Sequence, residues 1–188
     1  METANNSNDN QYLTFEMSGE NYAIPIAHIR EVLLVPTVTR IPRMPEFMRG
    51  VINLRGAVVP VLDLRLKFGM GSTELTPATA IIVIEIPTPG DESGEGTMRL
   101  GVFADAVKKV ITILPESVEP PPKVGMRVKT AFILGMGRVE GGFIVILNIR
   151  DILRVEDLVT VEESAGNAEV AERADKREKA VNDEKTVD

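Results

Sequence analysis

Few residues of this 188-residue chain have the chemistry of catalysis, and the most reactive of them is the single histidine, His28. Its imidazole titrates near neutral pH, but general-base catalysis also needs an orienting acid and a nucleophile nearby. The sequence around His28 supplies neither, so we interpret it as a surface or helix-start residue. The chain has no cysteine, which excludes disulfides, thiolate catalysis, Cys-type zinc sites and iron–sulfur clusters, and which is typical of a reducing compartment.

The remaining patterns for ligand binding are weak. Glycines in residues 135–142 would let backbone amides approach a phosphate, but this stretch lacks a Gly-Lys-Ser or Gly-Lys-Thr ending and lies between two predicted strands. A hairpin turn explains it better. Asp91 and Glu92 lie in an acidic loop, and the sequence has no Asp-rich calcium loop. We therefore predict no catalytic residue, no metal site and no cofactor.

Arg55 is the more informative residue. It lies at a tight turn between two apolar runs, next to Gly56, which permits a positive φ, so its side chain is carried outward on a short rigid support. The planar guanidinium can donate two hydrogen bonds to one carboxylate, which suits recognition of an acidic partner. The alternative is that any polar residue would serve at a hairpin tip.

The elements that must position Arg55 are strands. Leu13, Phe15 and Met17 alternate with polar residues, as in a half-buried strand, and a second alternating run follows the turn residues at 18–21. Residues 50–64 form two apolar runs around the turn Leu54-Arg55-Gly56. With 15 glycines, 12 prolines and little helical signal, the chain is predicted to be all-β, a sandwich or barrel. Further strands are predicted over residues 79–86, 99–103, 107–114, 129–139 and 142–149.

The clearest helical pattern is short and covers residues 27–34. Ile29, Val32 and Leu33 stand at i, i+3 and i+4, the spacing of one helix face. The exposed side of this predicted helix would carry Glu31 between apolar neighbours, as an interface patch does. Core packing explains Ile29 and Leu33 equally well.

The formal net charge of −7 is concentrated at the ends of the chain. Residues 12–155 carry 15 acids and 16 bases, whereas residues 156–188 carry 11 acids and 5 bases. Residues 30–67 are locally basic, with seven bases against three acids, but they lack the interleaved aromatic residues of a nucleic-acid site. The seven bases are Arg30, Arg40, Arg43, Arg49, Arg55, Arg65 and Lys67.

Three segments fall outside the strand pattern. We expect a flexible N-terminus over residues 1–10, a solvated, mobile acidic loop over residues 87–97, and a disordered acidic tail over residues 156–188.

No basic segment followed by an apolar one opens the chain, and no apolar run approaches the roughly 20 residues that span a bilayer. We therefore expect a cytoplasmic protein.

An ordered set of segments resembles the CheW family of bacterial chemotaxis coupling proteins. The signature is the run GVINLRGAVVPVLDLR at residues 50–65, preceded by IREV at 29–32, TRIP at 39–42 and PEFMR at 45–49. GVFADAV at 101–107 and LNI at 147–149 follow in the same order. The resemblance covers about residues 11–155. The acidic loop and the tail extend beyond the family pattern.

The resemblance implies an all-β, CheW-like domain of two packed five-stranded barrels, similar to Src-homology barrels, with short helices. It implies a non-catalytic adaptor that joins the cytoplasmic tips of methyl-accepting chemoreceptors to the regulatory domain of the histidine kinase CheA, in cytoplasmic receptor arrays. We therefore expect contact with membranes only through the receptors, and no nucleic-acid partner. The implied kinase interface is Ile29, Glu31, Val32, Val38 and Thr39, and the implied receptor interface is Arg49, Gly50, Asn53, Arg55 and Gly56.

Three alternatives stay open at this point. Arg55 would buttress the junction between the barrels if it does not contact a partner. A ligand-binding or enzymatic barrel predicts saturable binding of a small molecule, or turnover that needs no protein partner. A nucleic-acid-binding barrel predicts binding to RNA or DNA that weakens steeply with salt.

Overall fold

The computed structural model describes residues 10–88, 96–122 and 125–152. This part of the chain is built mainly from β-strands, as predicted, with two four-residue helices, α1 (Leu64–Lys67) and α2 (Ile149–Ile152). Single 3₁₀ turns lie at Ile26–His28, Pro115–Ser117 and Thr130–Phe132. The strands are β1 (Gln11–Met17), β2 (Glu20–Pro25), β3 (Ile29–Leu34), β4 (Met48–Leu54), β5 (Ala57–Leu62), β6 (Ala80–Pro87), β7 (Thr97–Ala104), β8 (Ala106–Thr112), β9 (Val118–Glu119), β10 (Ile133–Val139) and β11 (Gly142–Leu147).

The strands form two sheets with related topology. The first sheet has the order β8-β1-β2-β11-β10-β9, and the second has the order β3-β6-β7-β5-β4. Neighbouring strands are antiparallel except for one central pair in each sheet, β2 with β11 and β5 with β7. The all-β prediction is therefore confirmed, and the first sheet has a sixth strand because the two-residue β9 pairs with β10.

Apolar side chains pack in three clusters, one within each sheet and one shared by both. The strand β6 shows why its sequence is almost continuously apolar. Ile81 and Val83 belong to the cluster of the second sheet, whereas Ile82 and Ile84 belong to the shared cluster. Both faces of this strand are covered, so neither face needs polar residues. The shared cluster includes Phe15, Tyr22 and Ile24 from the first sheet with Leu62, Leu100 and Val102 from the second.

The helix predicted over residues 27–34 is wrong, because the chain forms a 3₁₀ turn at Ile26–His28 and then the strand β3. The apolar residues between Ile29 and Leu34 fit both the spacing of a helix and the alternation of a strand. Antiparallel pairing with β6 favours the strand. In a strand, alternate residues share a face. Val32 therefore lies on the opposite face from Glu31 and Leu33, and the register shift between Ile29 and Glu31 places Ile29 against the shared cluster while Leu33 packs against the cluster of the second sheet.

The other predicted strands are found with shifted ends. The predicted strand 129–139 begins at Ile133 after the 3₁₀ turn Thr130–Phe132, and the predicted strand 142–149 ends at Leu147. The helices α1 and α2 and the strand β9 have no counterpart in the sequence prediction. The predicted tail (residues 156–188), most of the predicted flexible N-terminus (residues 1–10) and the middle of the predicted acidic loop (residues 87–97) lie outside the described residues. The predicted ends of that loop are wrong, because Pro87 and Thr97 belong to β6 and β7 and are paired with each other.

Candidate interaction surface

The β4–β5 hairpin is built to hold Arg55 away from the sheet. Arg55 and Gly56 both have positive φ, 54° and 88°, which is the backbone of the two-residue type I′ turn. The Asn53 Oδ1 atom accepts a hydrogen bond of 2.9 Å from the amide of Gly56 and closes the turn. The predicted turn is thus confirmed, and its rigidity comes from backbone geometry and one side-chain hydrogen bond.

The Arg55 guanidinium reaches across to β3. Its Nη2 atom donates to Glu31 Oε2 over 3.1 Å, while the Arg55 side chain is 81% exposed and that of Glu31 is 24% exposed. An exposed ion pair contributes only about 0.2–1 kcal/mol to stability, so its main effect is to orient the two side chains. This contact lies within the second sheet and not at the junction with the first.

A backbone bridge joins the segment after β3 to β4 and closes the second sheet into a barrel. The Thr39 amide donates to Val51 O over 2.9 Å, and the Val51 amide donates to Thr39 O over 2.8 Å. Gly50, with φ of 138°, permits this approach, because a Cβ atom there would lie 2.1 Å from Thr39 O. Gly50 is buried and serves closure of the barrel.

Arg49 takes part in a buried polar network rather than in an open surface. Its Nη1 atom donates to Asp63 Oδ2 over 3.0 Å, and the Asp63 side chain is fully buried. Asp63 also accepts from the Thr73 amide at 2.8 Å, from the Thr73 hydroxyl at 3.0 Å and from the Leu66 amide at 3.3 Å. The carboxylate therefore caps α1 and ties the segment after it to β4.

Exposed apolar side chains lie on β3, which carries Glu31, and at the start of β5, which follows Arg55. Leu34 is 80% exposed, Val32 is 42% exposed and Val58, at the start of β5, is 39% exposed. Val32 and Leu34 share one face of β3, and exposed apolar side chains of this kind are buried when a protein partner covers them. We name Glu31, Val32, Leu34, Arg55 and Val58 the hairpin surface.

The ten residues implied as interfaces separate into exposed and supporting groups. Val32, Thr39, Asn53, Arg55 and Gly56 are exposed, and Glu31 is half-buried beside Arg55. Ile29 packs against the shared cluster and Val38 against the cluster of the second sheet. Two contacts, Glu31 with Arg55 and Thr39 with Gly50, make the implied kinase and receptor interfaces adjoin each other.

Sequence reasoning missed several polar residues that hold this surface and its barrel in place. Asp63 precedes α1 in the manner of a helix N-cap, and that signal was present in the sequence. Thr73 gave no signal, because its role depends on a carboxylate ten residues earlier. Arg65 and Asp105 gave none either, since they meet across 40 residues of sequence.

His28 lies near the charge of Arg150 and the backbone of Glu85. It is half-buried, and its pKa is lowered from 6.5 first by burial and then by the nearby charge of Arg150, against a hydrogen bond to the Glu85 backbone. In the described ranges, no three histidine, aspartate or glutamate side chains are grouped closely enough to hold a metal ion. No helix in that part of the chain is long and apolar enough to cross a membrane.

Comparison with known protein families gives one match over most of the chain. Residues 11–157 match the family model for the CheW-like domain. A chemotaxis protein CheW from Klebsiella aerogenes is 29% identical over 143 residues, covering 76% of this chain and 81% of that protein. A chemotaxis protein CheW from Helicobacter pylori is 30% identical over 143 residues, with the same coverage, 76% and 81%.

The fold agrees with a solved structure. The crystal structure of the scaffolding protein TtCheW from Thermoanaerobacter tengcongensis superposes with a TM-score of 0.70 at 32% sequence identity. The superposition covers 84% of this chain and 96% of that one.

Proposed function

Because this chain belongs to the CheW family of chemotaxis proteins, we propose that it is a non-catalytic adaptor that couples methyl-accepting chemoreceptors to the histidine kinase CheA. Its place would be in the cytoplasm, at receptor arrays, where it meets the membrane only through the receptors. The adaptor domain would comprise residues 11–155, with two barrels.

The observation that carries this proposal is the hairpin surface. It combines exposed apolar residues with a guanidinium that is 81% exposed and held on a two-residue turn. Such a surface suits a protein partner, because apolar burial supplies affinity and an oriented arginine supplies recognition of carboxylates. A receptor tip rich in glutamate has the complementary charge.

We assign direct contacts and supporting roles within the proposed interfaces separately. Arg55 would contact the receptor, while Asn53 and Gly56 shape its turn. Arg49 and Gly50 would support that hairpin from below, one through Asp63 and the other through Thr39.

On the proposed kinase side, Val32 and Thr39 are the exposed contact residues. Ile29 and Val38 would hold the backbone beneath them, since both pack against apolar clusters. Glu31 belongs to both sides, because it lies on β3 and is hydrogen-bonded to Arg55.

The mechanism that we propose is geometric. The adaptor holds the kinase at the receptor tip, so that a change in the receptor shifts the population of active kinase. Each contact need bind only modestly, because assembly in an array makes later binding events effectively intramolecular.

Reconstitution tests the proposal directly. The purified protein is mixed with receptor-containing membranes and CheA from the same source, and both co-sedimentation and ATP-dependent kinase phosphorylation are measured. Kinase activation that requires all three components supports the adaptor function. A protein that neither joins the complex nor changes kinase activity contradicts it.

The variant Arg55→Ala tests the assignment of the hairpin surface. We expect it to lose receptor-dependent kinase control while its thermal stability stays close to that of the unmodified protein, since the pair that it breaks is exposed. Arg138→Ala is the matched control, because Arg138 is also an exposed, ion-paired arginine but lies on the first sheet. Equal kinase control in Arg55→Ala and the unmodified protein rules out a role for Arg55 at the receptor.

A further inference from the structure

The two barrels are joined by a single residue at one of the points where the chain passes between them. The strand β7 of the second sheet ends at Ala104, and the strand β8 of the first sheet begins at Ala106. Asp105 lies between them. Its amide donates a 2.9 Å hydrogen bond to Glu16 O, which fixes the backbone of this joint to β1 of the first sheet.

The Asp105 carboxylate binds one group from each barrel. Its Oδ2 atom accepts a 2.7 Å hydrogen bond from the amide of Ser18, in the turn between β1 and β2. Its two oxygens also lie 3.2 and 3.1 Å from Nη1 of Arg65, on α1 directly after the second sheet's β5. The carboxylate thus links a turn of the first barrel to a helix of the second.

This ion pair is largely removed from water. The side chains of Arg65 and Asp105 are 19% and 22% exposed, in contrast to 81% for Arg55. Screening by solvent and salt is therefore weaker at the junction than at the hairpin surface. Among the described residues, the Arg65 Nε atom is also buried without a hydrogen-bond partner. The other contacts of this arginine must therefore offset the free-energy cost of an unsatisfied donor.

Two kinds of contact hold the barrels together, and they do different things. The shared apolar cluster contains side chains of both sheets, but apolar attraction has no preferred direction. Hydrogen bonds and charged pairs weaken steeply when their geometry changes. The apolar cluster therefore holds the barrels in contact, and the energy of the Ser18–Asp105–Arg65 contacts depends on the angle between them.

We propose that Arg65 and Asp105 are positioning residues that fix the angle between the two barrels, and thereby the relative placement of the surfaces that meet different partners. The second part rests on the proposed adaptor function, whereas the first part concerns the isolated protein. An adaptor that signals by geometry needs a defined angle, because a loose junction would absorb a movement of one partner before it reached the other.

Distances between spin labels test the first part. The chain has no cysteine, so Ala57→Cys on the second barrel and Glu140→Cys on the first give two unique labelling sites, both exposed. In this background we expect Arg65→Met, which keeps the aliphatic length and removes the charge, to shift or broaden the interlabel distance distribution. Arg65→Lys, which retains a donor and a charge, should restore most of the original distribution.

Two further variants make this test decisive. Asp105→Asn keeps an oxygen for the Ser18 amide and removes the charge, and it should broaden the distribution as Arg65→Met does, which covers the case in which Arg65→Met fails to fold. Arg99→Met removes an exposed arginine that is paired with Glu85 on the second sheet, and it should leave the distribution unchanged. Unchanged distributions in both junction variants overturn the inference.

Partner assays separate positioning from simple structural support. In the reconstituted system, Arg65→Met should bind receptor membranes alone and CheA alone as the unmodified protein does, while kinase stimulation by receptor falls by about fivefold or more. Loss of both single-partner affinities would overturn the positioning role. If the unmodified protein binds neither partner, the adaptor function fails, and the distance measurements still decide the role of the junction.

Discussion

Replacing Asp63 by alanine is expected to lower the free energy of unfolding by about 3–5 kcal/mol, the range for breaking a buried charged pair by removing one partner. The Asp63 carboxylate is fully buried and accepts four hydrogen bonds, from Arg49, Leu66 and the amide and hydroxyl of Thr73. Alanine leaves the guanidinium of Arg49 unpaired at 23% exposure and the buried Thr73 amide without its acceptor.

Two opposing effects set this magnitude. Burying the carboxylate costs several kcal/mol, which the present contacts offset, so the intact network adds little net stability. Removing the carboxylate removes its desolvation penalty. It also leaves each former donor without an acceptor, which costs about 1–3 kcal/mol for each buried unsatisfied group. The lost cap of α1 adds about 0.5–2 kcal/mol. Four donors lose their acceptor when one carboxylate is removed, so we expect the protein to be less stable.

Urea unfolding followed by circular dichroism measures this effect. With an m-value of about 2 kcal/mol/M, the midpoint should fall by about 1.5–2.5 M. Asp63→Asn keeps one carbonyl oxygen and should lose less. Asp151→Ala is the control, because Asp151 is an exposed acid that accepts only from Asn148 among the described contacts, and it should change stability by less than about 0.5 kcal/mol. A loss below about 1 kcal/mol for Asp63→Ala would refute the reasoning, since the network would then be dispensable.

Two other stability predictions follow from the same structure. Gly50→Ala should destabilise the protein by more than about 2 kcal/mol in urea unfolding, because its Cβ would lie 2.1 Å from Thr39 O. Gly69→Ala, at a positive φ with open space around it, should cost only about 1–2 kcal/mol, and equal losses would contradict the steric argument. The lowered pKa of His28 means that the unfolded chain binds its proton more tightly, so stability should rise as the pH increases toward and through 6.5. His28→Gln should remove that part of the pH dependence, and an unaltered difference between thermal melts at pH 5 and pH 8 would show that His28 does not cause it.

Much of the fold could be predicted from short stretches of the sequence. The alternation of Leu13, Phe15 and Met17 identified β1, and the glycine after Arg55 identified the hairpin turn, because each feature depends on neighbours within a few residues. The ordered segments of the CheW resemblance are local in the same sense. What local reading could not decide was the state of residues 29–34, whose apolar run fits a helix or a strand until β6 pairs with it.

The roles of the side chains around the hairpin surface were harder to predict from the sequence. Arg49, Gly50 and Arg55 lie within seven residues of one another, yet one pairs with buried Asp63, one admits the Thr39 backbone and one points into solvent. The sequence marks all three as special without distinguishing their surroundings. Distance in sequence is the reason, because each contact is made to a residue 11 or more positions away.

By itself, the sequence determined the all-β class, the hairpin that carries Arg55, the lack of cysteine chemistry and the family resemblance, since these follow from residue types and short-range periodicity. Only the tertiary structure decided that Arg55 contacts Glu31 while Arg65 and Asp105 meet where the two barrels join. The two members of that junction are 40 residues apart, and no local pattern encodes which charged groups the packing of two barrels will bring within hydrogen-bond distance.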